Sequence, residues 1–356
     1  MKKRKTKIRV LVVDDSLLFR ETLAGGINKE SDIEVVGTAS DVYEASEKII
    51  ELRPDVVTLD IEMPRMDGIA FLKKLLPQYP VPVVVISSLG NKVFDALDAG
   101  AVDFVRKPEV FRKGTLDSFI IEVVIKIKIA SMAKVGTLKK QFGPDPLPTG
   151  FEKNVKDVSE IVIAIGASTG GTEAIYNVLK PFPKTMPPIL IVQHMPPVFT
   201  RLYAERLNNS CAMEVKEAED GDIVKAGRVL IAPGDFHMRL EKSSSGMYVT
   251  CKKGEKVSGH CPSVDVLFDS VAEVAKDKAI GVILTGMGKD GAQGLLDMKN
   301  KGAYTLGQNE ATCVVYGMPM VAYDIEAVSK QLALSDIPRE ICRYLSINMC
   351  MYNMCM

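Results

Sequence analysis

Four short apolar runs in the first third of the chain, at 8–13 (IRVLVV), 55–59 (DVVTL), 81–86 (VPVVVI) and 101–105 (AVDFV), alternate with helix-compatible stretches such as 41–52 and 68–78. That alternation predicts a doubly wound α/β domain on a parallel sheet, since parallel neighbours must be joined by crossovers and helices supply them. In such a sheet the carboxyl ends of the strands share one edge, where loops build the binding site. Asp14, Asp15, Asp60, Ser87 and Lys107 each stand at or just past the end of a run. The fold therefore brings all five together.

Three carboxylates that close would repel and raise one another's pKa unless a hard divalent cation with oxygen ligands neutralises them, and Mg²⁺ is the natural occupant. It would shield an incoming phosphoryl group from Asp60, the expected nucleophile, while Lys107 and the Ser87 hydroxyl hold phosphoryl oxygens. Any one of these acids taken alone also fits a helix cap or a solvated loop residue.

VVDDS (12–16), LDIEMPRMDG (59–68), SS (87–88) and VRKP (105–108) together resemble the response-regulator receiver family, over roughly residues 6–128. The resemblance implies a flavodoxin-like fold and phosphotransfer from a histidine kinase to Asp60. It also implies a metal held by Asp15, Asp60 and the Glu62 backbone carbonyl, beside Asp14 in the acid pocket. Ser87 and Phe104 look like the switch pair that carries phosphorylation to a distant surface; Phe104 fits ordinary core equally well.

At 356 residues the chain is long enough for two domains, each with its own core. Lys plus Arg equals Asp plus Glu at 45 each, so no broad basic field points to nucleic acid or anionic membrane. The basic start gives way to an apolar run of six residues that ends in two aspartates, which no signal peptide fits. No apolar stretch approaches the roughly 20 residues of a membrane span, so a soluble, cytoplasmic protein is expected. Seven cysteines without a CxxC pair predict reduced thiols, none of them catalytic.

Residues 117–130 mix β-branched residues with lysines, yet their position predicts the closing helix of the first domain. GPDPLPTG at 143–150 has linker composition. The expected division is a receiver at 1–128, a linker at 129–158, a catalytic domain at 159–347 and a frayed tail at 348–356, where INMCMYNMCM carries no charge and no period.

A second βα series runs through 161–166 (IVIAIG), 189–193 (ILIVQ), 228–232 (RVLIA) and 280–285 (IGVILT), predicting a C-terminal α/β domain with a mostly parallel sheet. Ser168, His194 and Asp290 lie at or shortly past the ends of three of these runs. Their types match nucleophile, base and orienter: serine needs an imidazole to take its proton, and the imidazole needs a carboxylate to fix its tautomer and stabilise its charge. The glycines of IGASTGG (165–171) permit a tight strand-to-helix turn, and backbone amides near Met287 in LTGMGKDG (284–291) would complete an oxyanion hole. IGASTGG lacks both GxGxxG and a P-loop lysine, which argues against a nucleotide loop. His237 and His260 fit cleft-lining positions better than catalytic ones.

IGASTGG, VQHMPPVFT (192–200), IAPGDFHM (231–238), HCPSVDVLF (260–268), LTGMGKDGAQG (284–294) and CVVYGMP (313–319), placed behind a receiver, resemble the chemotaxis methylesterase (CheB) family. The resemblance implies Ser168, His194 and Asp290 as the triad, Met287 as an oxyanion amide and Thr169 as a residue positioning the histidine. It further implies hydrolysis of glutamate methyl esters on chemoreceptors, deamidation of receptor glutamines, control by the phosphorylated receiver over the catalytic edge, and no cofactor for hydrolysis. The membrane would be approached through receptors only. Thr172, Cys261 and Asn309 depart from the family, which usually has proline, arginine and an acid there; Cys261 puts substrate preference in doubt. A phosphorylation-gated transcription regulator is the rival class, and it would need a helix-turn-helix or a basic surface. A degenerate esterase that only docks on receptors is a third.

Overall fold

The computed structural model describes residues 7–63, 67–88, 90–108, 112–135 and 160–354, so most of the expected linker, GPDPLPTG included, lies outside the described residues. The chain divides into two compact units, Met1–Lys140 and Gln141–Met356.

In the first unit β1 (Ile8–Val13), β2 (Ile33–Ala39), β3 (Val56–Asp60), β4 (Val83–Ser87) and β5 (Asp103–Arg106) pair in the order β2-β1-β3-β4-β5, every pair parallel. Between them run α1 (Leu17–Ile27), α2 (Val42–Leu52), α3 (Gly68–Leu75) and α4 (Gly90–Asp98), and α5 (Lys113–Ala130) closes the unit. Strands β3 and β4 are buried along their whole length, as strands covered by helices on both faces must be. The β-branched segment 117–130 is helical: Phe119, Val123, Ile127 and Ala130 recur at helical spacing on the buried side, and Ile121 and Ile125 are exposed. Side chains cap the starts of α1, α2 and α3; Asp41, for example, accepts from the Tyr43 and Glu44 N–H groups at 2.9 and 3.0 Å.

The second unit holds β6 (Val162–Ala167), β7 (Ile189–Gln193), β8 (Glu214–Glu217), β9 (Arg228–Ile231), β12 (Ala279–Ile283), β13 (Tyr304–Gln308) and β14 (Lys330–Leu332) in one sheet. Their order is β14-β13-β12-β6-β7-β9-β8, all pairs parallel. An antiparallel hairpin, β10 (His237–Ser243) with β11 (Gly246–Lys252), stands apart from it. The helices are α6 (Gly171–Leu179), α7 (Phe199–Ser210), α8 (Val264–Val274), α9 (Ala292–Asn300), α10 (Met318–Asp324) and α11 (Ile337–Met354). Both outermost strands, EVKE and KQL, are short and polar, which discourages edge-to-edge pairing. Helix α11 continues to Met354, so the backbone corrects the expectation of a frayed tail after 347: Ile341, Cys342 and Leu345 are buried, and the helix they anchor extends past them. Among the described residues no helix is long and apolar enough to cross a membrane.

Both sheets have a topological switch point, where successive crossovers leave in opposite directions. In the first it falls between β1 and β3, in the second between β6 and β12. Asp14, Asp15 and Asp60 flank the former; Ser168 and Asp290 flank the latter, with His194 one strand away.

Phe268 on α8 is fully buried in the core that joins α8 and α9 to the sheet. Phe268→Ala should destabilise the protein by about 3–5 kcal/mol, read as a lowered midpoint in chemical denaturation of the full chain.

Candidate active site and acid pocket

The acid pocket is assembled from strand ends. Carboxylate oxygens of Asp14, Asp15 and Asp60 all lie within 4.8 Å of one another, with Asp14 and Asp60 buried and Asp15 exposed. Lys107 Nζ sits 2.7 Å from Asp14 Oδ2 and 2.5 Å from Asp60 Oδ2, over the Phe19 ring. Burial opposes its charge, but the two aspartates outweigh burial and hold the ammonium above the ordinary lysine value. Burial also pushes the Asp60 carboxyl up, and Asp14 adds to it, by more than Lys107 and the Glu62 N–H pull it down. Lys107 thus pairs with two of the three acids, and Arg20 donates to the backbone carbonyls of Asp14 and Asp15 at 2.6 and 3.0 Å. Asp14 Oδ2 is ion-paired with that lysine and, among the described residues, has no further partner, so a buried oxygen keeps a lone pair to offer. Residual negative charge and a spare buried oxygen fit a divalent cation.

Glu62 does more in the structure than its expected carbonyl role. Its N–H donates to Asp60 Oδ1 at 2.9 Å, and its carboxylate accepts from Ser87 Oγ at 2.8 Å and Ser88 Oγ at 2.7 Å. Ser87 therefore faces Glu62 here. Phe104 is buried on β5.

In the second unit the register of β6 with β7 ends at Ala167 opposite Gln193, so Ser168 and His194 are the residues that follow directly on adjacent strands. His194 N–H donates to Ala167 O at 3.1 Å, and Gln193 Nε2 donates to Ser168 O at 2.9 Å and His194 O at 3.3 Å. Gly170, at φ 76°, makes the tight turn from β6 into α6. From the other side Gly286 lies so close that a Cβ there would sit 2.7 Å from Ser168 Cβ and 2.4 Å from Met318 Sδ. Only glycine lets the two loops meet.

His194 Nε2 lies 2.7 Å from Asp290 Oδ2. Its Nδ1 is buried and has no hydrogen-bond partner among the described residues, Ser168 Oγ included. Nδ1 is the nitrogen left to take a serine proton. Asp290 also accepts from Ser263 Oγ at 2.7 Å and from the N–H groups of Val264 at 2.7 Å and Asp265 at 3.1 Å, so it lies at the N-terminus of α8. Burial alone would raise this carboxyl; His194, Ser263 and Val264 N–H outweigh it and hold the pKa at about 2.

Gly286 spends its N–H on Val315 O, whereas the Met287 N–H has no acceptor among the described residues and remains available to an oxyanion. Thr169 is buried beside Ser168, and its carbonyl accepts from Thr285 Oγ1 at 3.0 Å. His260 stacks on His194 with centroids 3.7 Å apart and planes within 7°, a contact that sequence spacing did not reveal. His237 uses both ring nitrogens structurally, on Glu255 O and Ser263 N. Asn309 caps its own turn through Thr312, and the Thr172 carbonyl accepts from Tyr203. Cys211, Cys251, Cys261, Cys313 and Cys342 are free thiols. Burial pushes Cys211 to about 11 and Cys251 and Cys342 to about 12, far from thiolate nucleophiles.

The Asp290 value lies below the ordinary 3.8, so the stability it contributes is complete above that value and is lost as pH falls through about 2. Asp290→Asn should cost on the order of 2 kcal/mol at pH 7. That difference from the unsubstituted chain should shrink between pH 4 and pH 2, as followed by denaturant titration at each pH.

Two family models match this chain: CheB methylesterase over residues 163–341 and response regulator receiver domain over 10–116. The protein-glutamate methylesterase/protein-glutamine glutaminase 2 of Syntrophomonas wolfei is 57% identical over 343 residues, covering 96% of this chain and 99% of that one. The protein-glutamate methylesterase/protein-glutamine glutaminase of Salmonella typhimurium is 48% identical over 346 residues, covering 96% and 98%. The crystal structure of the Thermotoga maritima CheB methylesterase catalytic domain superposes with a TM-score of 0.51 at 40% identity, over 52% of this chain and 98% of that one.

Proposed function

The chain belongs to the CheB methylesterase family, and on that premise we propose that it hydrolyses γ-methyl esters of glutamates on chemoreceptors, releasing methanol, under control of Asp60 phosphorylation. Its enzyme class is protein-glutamate methylesterase and protein-glutamine glutaminase, as for the relatives above. The observation that carries the reading is the His194–Asp290 pair at 2.7 Å, with His194 Nδ1 unpartnered at the strand end next to Ser168.

In this mechanism Ser168 Oγ attacks the ester carbonyl as His194 Nδ1 takes its proton, and Asp290 holds the resulting imidazolium. The tetrahedral oxyanion accepts from the Met287 N–H. Collapse breaks the C–O bond to the methoxy group, which leaves as methanol with the proton from His194. Water, deprotonated by the same imidazole, then attacks the acyl-Ser168 carbonyl, giving the glutamate carboxylate and regenerating the serine. A glutamine side chain follows the same course with ammonia leaving. Thr169 helps position the histidine.

Asp15, Asp60 and the Glu62 carbonyl, with Asp14 beside them, would hold a Mg²⁺ that offsets the pocket's negative charge when bound. Asp60 accepts the phosphoryl group from a histidine kinase, Lys107 and Ser87 engage its oxygens, and Phe104 follows Ser87. Ser87 must leave Glu62 to do so. The protein works in the cytoplasm, meeting the membrane through its receptor substrates.

Methanol release from methylated receptor membranes tests both parts. Mg²⁺ with a small phosphodonor should raise the rate about 5- to 150-fold, the usual range of allosteric coupling, and Asp60→Asn should abolish the rise. A fluorophosphonate probe should label the activated protein and not Ser168→Ala. Absence of labelling would favour a binding protein over an enzyme.

A further inference from the structure

Helices α8 and α9 start side by side, and each is capped by a carboxylate that belongs to the other. Asp290, just ahead of α9, accepts from the first-turn N–H groups of Val264 and Asp265 on α8. Asp265, in the first turn of α8, accepts from the Gly294 N–H on α9 at 2.9 Å through Oδ1. Close approach makes the exchange possible: a Cβ on Gly294 would lie 2.7 Å from Phe268 Cβ and 3.0 Å from Asp265 O. The other oxygen of Asp265 accepts from Ser258 Oγ at 3.2 Å. Ser258 stands two residues before His260, whose ring covers His194. One carboxylate thus ties down both the helix that follows Asp290 and the segment that covers the histidine.

We propose that Asp265 is a positioning residue for the esterase centre: its carboxylate fixes Asp290 and the His260 segment, and its negative charge behind Asp290 supports the imidazolium that forms on His194 during catalysis. The inference rests on the triad reading above. The charge that acts on the Asp265 carboxyl is Asp290, itself paired with His194. One turn along α8, Asp269 has Asp297, Asp290 and Glu273 around it against Arg239. Burial pushes the Asp265 carboxyl up, the Gly294 N–H pulls it down, and the Asp290 charge raises it again, to about 6. Protonation near that pH removes both the charge and part of the hydrogen-bond acceptance, so Asp265 acts in its anionic form above about 6 and is silent below.

Asp265→Asn keeps the shape and an acceptor oxygen while mimicking the protonated state. Measured as methanol release from methylated receptor membranes by the full chain, the ratio of wild-type kcat to variant kcat should be about 10 at pH 8. It should fall toward unity at pH 5 with a midpoint near 6. A ratio independent of pH, as a purely structural role would give, overturns the proposal. Carbon-13 resonances of aspartate side chains, with Asp265 assigned through Asp265→Asn, provide a readout that needs no activity. The Asp265 carboxyl should titrate near 6 and move down in Asp290→Asn; titration at the ordinary aspartate value, or no response to Asp290→Asn, overturns the proposal equally. If wild type and Ser168→Ala release methanol at the same rate, the triad reading falls, and the resonance shifts still decide whether the two carboxyls are coupled.

Discussion

A single buried anion organises the second unit. Asp290 is 1% exposed and receives the His194 ring, the Ser263 hydroxyl and two backbone N–H groups of α8. Removing a carboxylate from water costs several kcal/mol, and only donors of good geometry offset that cost. Because those donors come from the end of β7 and the start of α8, the loop after β12 cannot shift without leaving the charge unpaired. The requirement to satisfy this one side chain fixes three chain segments against one another, and the Ser168 loop is then held from beneath by Gln193 and from beside by Gly286.

The first unit meets the same problem and answers it differently. Its buried acids also lie at the carboxyl edge of a parallel sheet beside a switch point, but no helix N-terminus takes up their charge in full. Lys107 neutralises part of it, and the Asp60 carboxyl stays raised by burial and by Asp14. The charge and the spare oxygen of such a pocket suit a divalent cation, whereas in the second unit protein donors answer the Asp290 charge. One strand-edge geometry thus leaves negative charge partly unmet in one unit and meets it from within in the other. Glu62, holding both Ser87 and Ser88, keeps the hydroxyl that a phosphoryl group would need engaged elsewhere.

Parallel strands under helices are legible in the sequence where they read as continuous apolar runs; β13, buried over most of its length but written YTLGQ, does not read so and is not among the expected strands. The same rule explains what was missed. β2 is largely half-buried, β8 and β14 are short polar edges, and β10 and β11 form a hairpin outside the sheet, so none of them presents such a run. α5 follows from its place in the βα order, against its local composition. The uncharged C-terminal segment shows no period, yet α11 runs on into it from Ile341 and Leu345 in the core.

Residue types at strand ends were enough to nominate Asp14, Asp15, Asp60, Ser87, Lys107, Ser168, His194 and Asp290, since a parallel sheet delivers every such position to one edge whatever the loops do. Residue order and polarity dictate the two α/β units and which reactive groups gather at each edge. Their orientation comes from packing in three dimensions: that Asp290 meets Nε2 of His194, that His260 lies flat on that ring, that Glu62 holds Ser87, and that α8 and α9 exchange caps. These contacts join residues tens of positions apart through hydrogen bonds and ring stacking, which depend on distances and angles that periodicity does not encode.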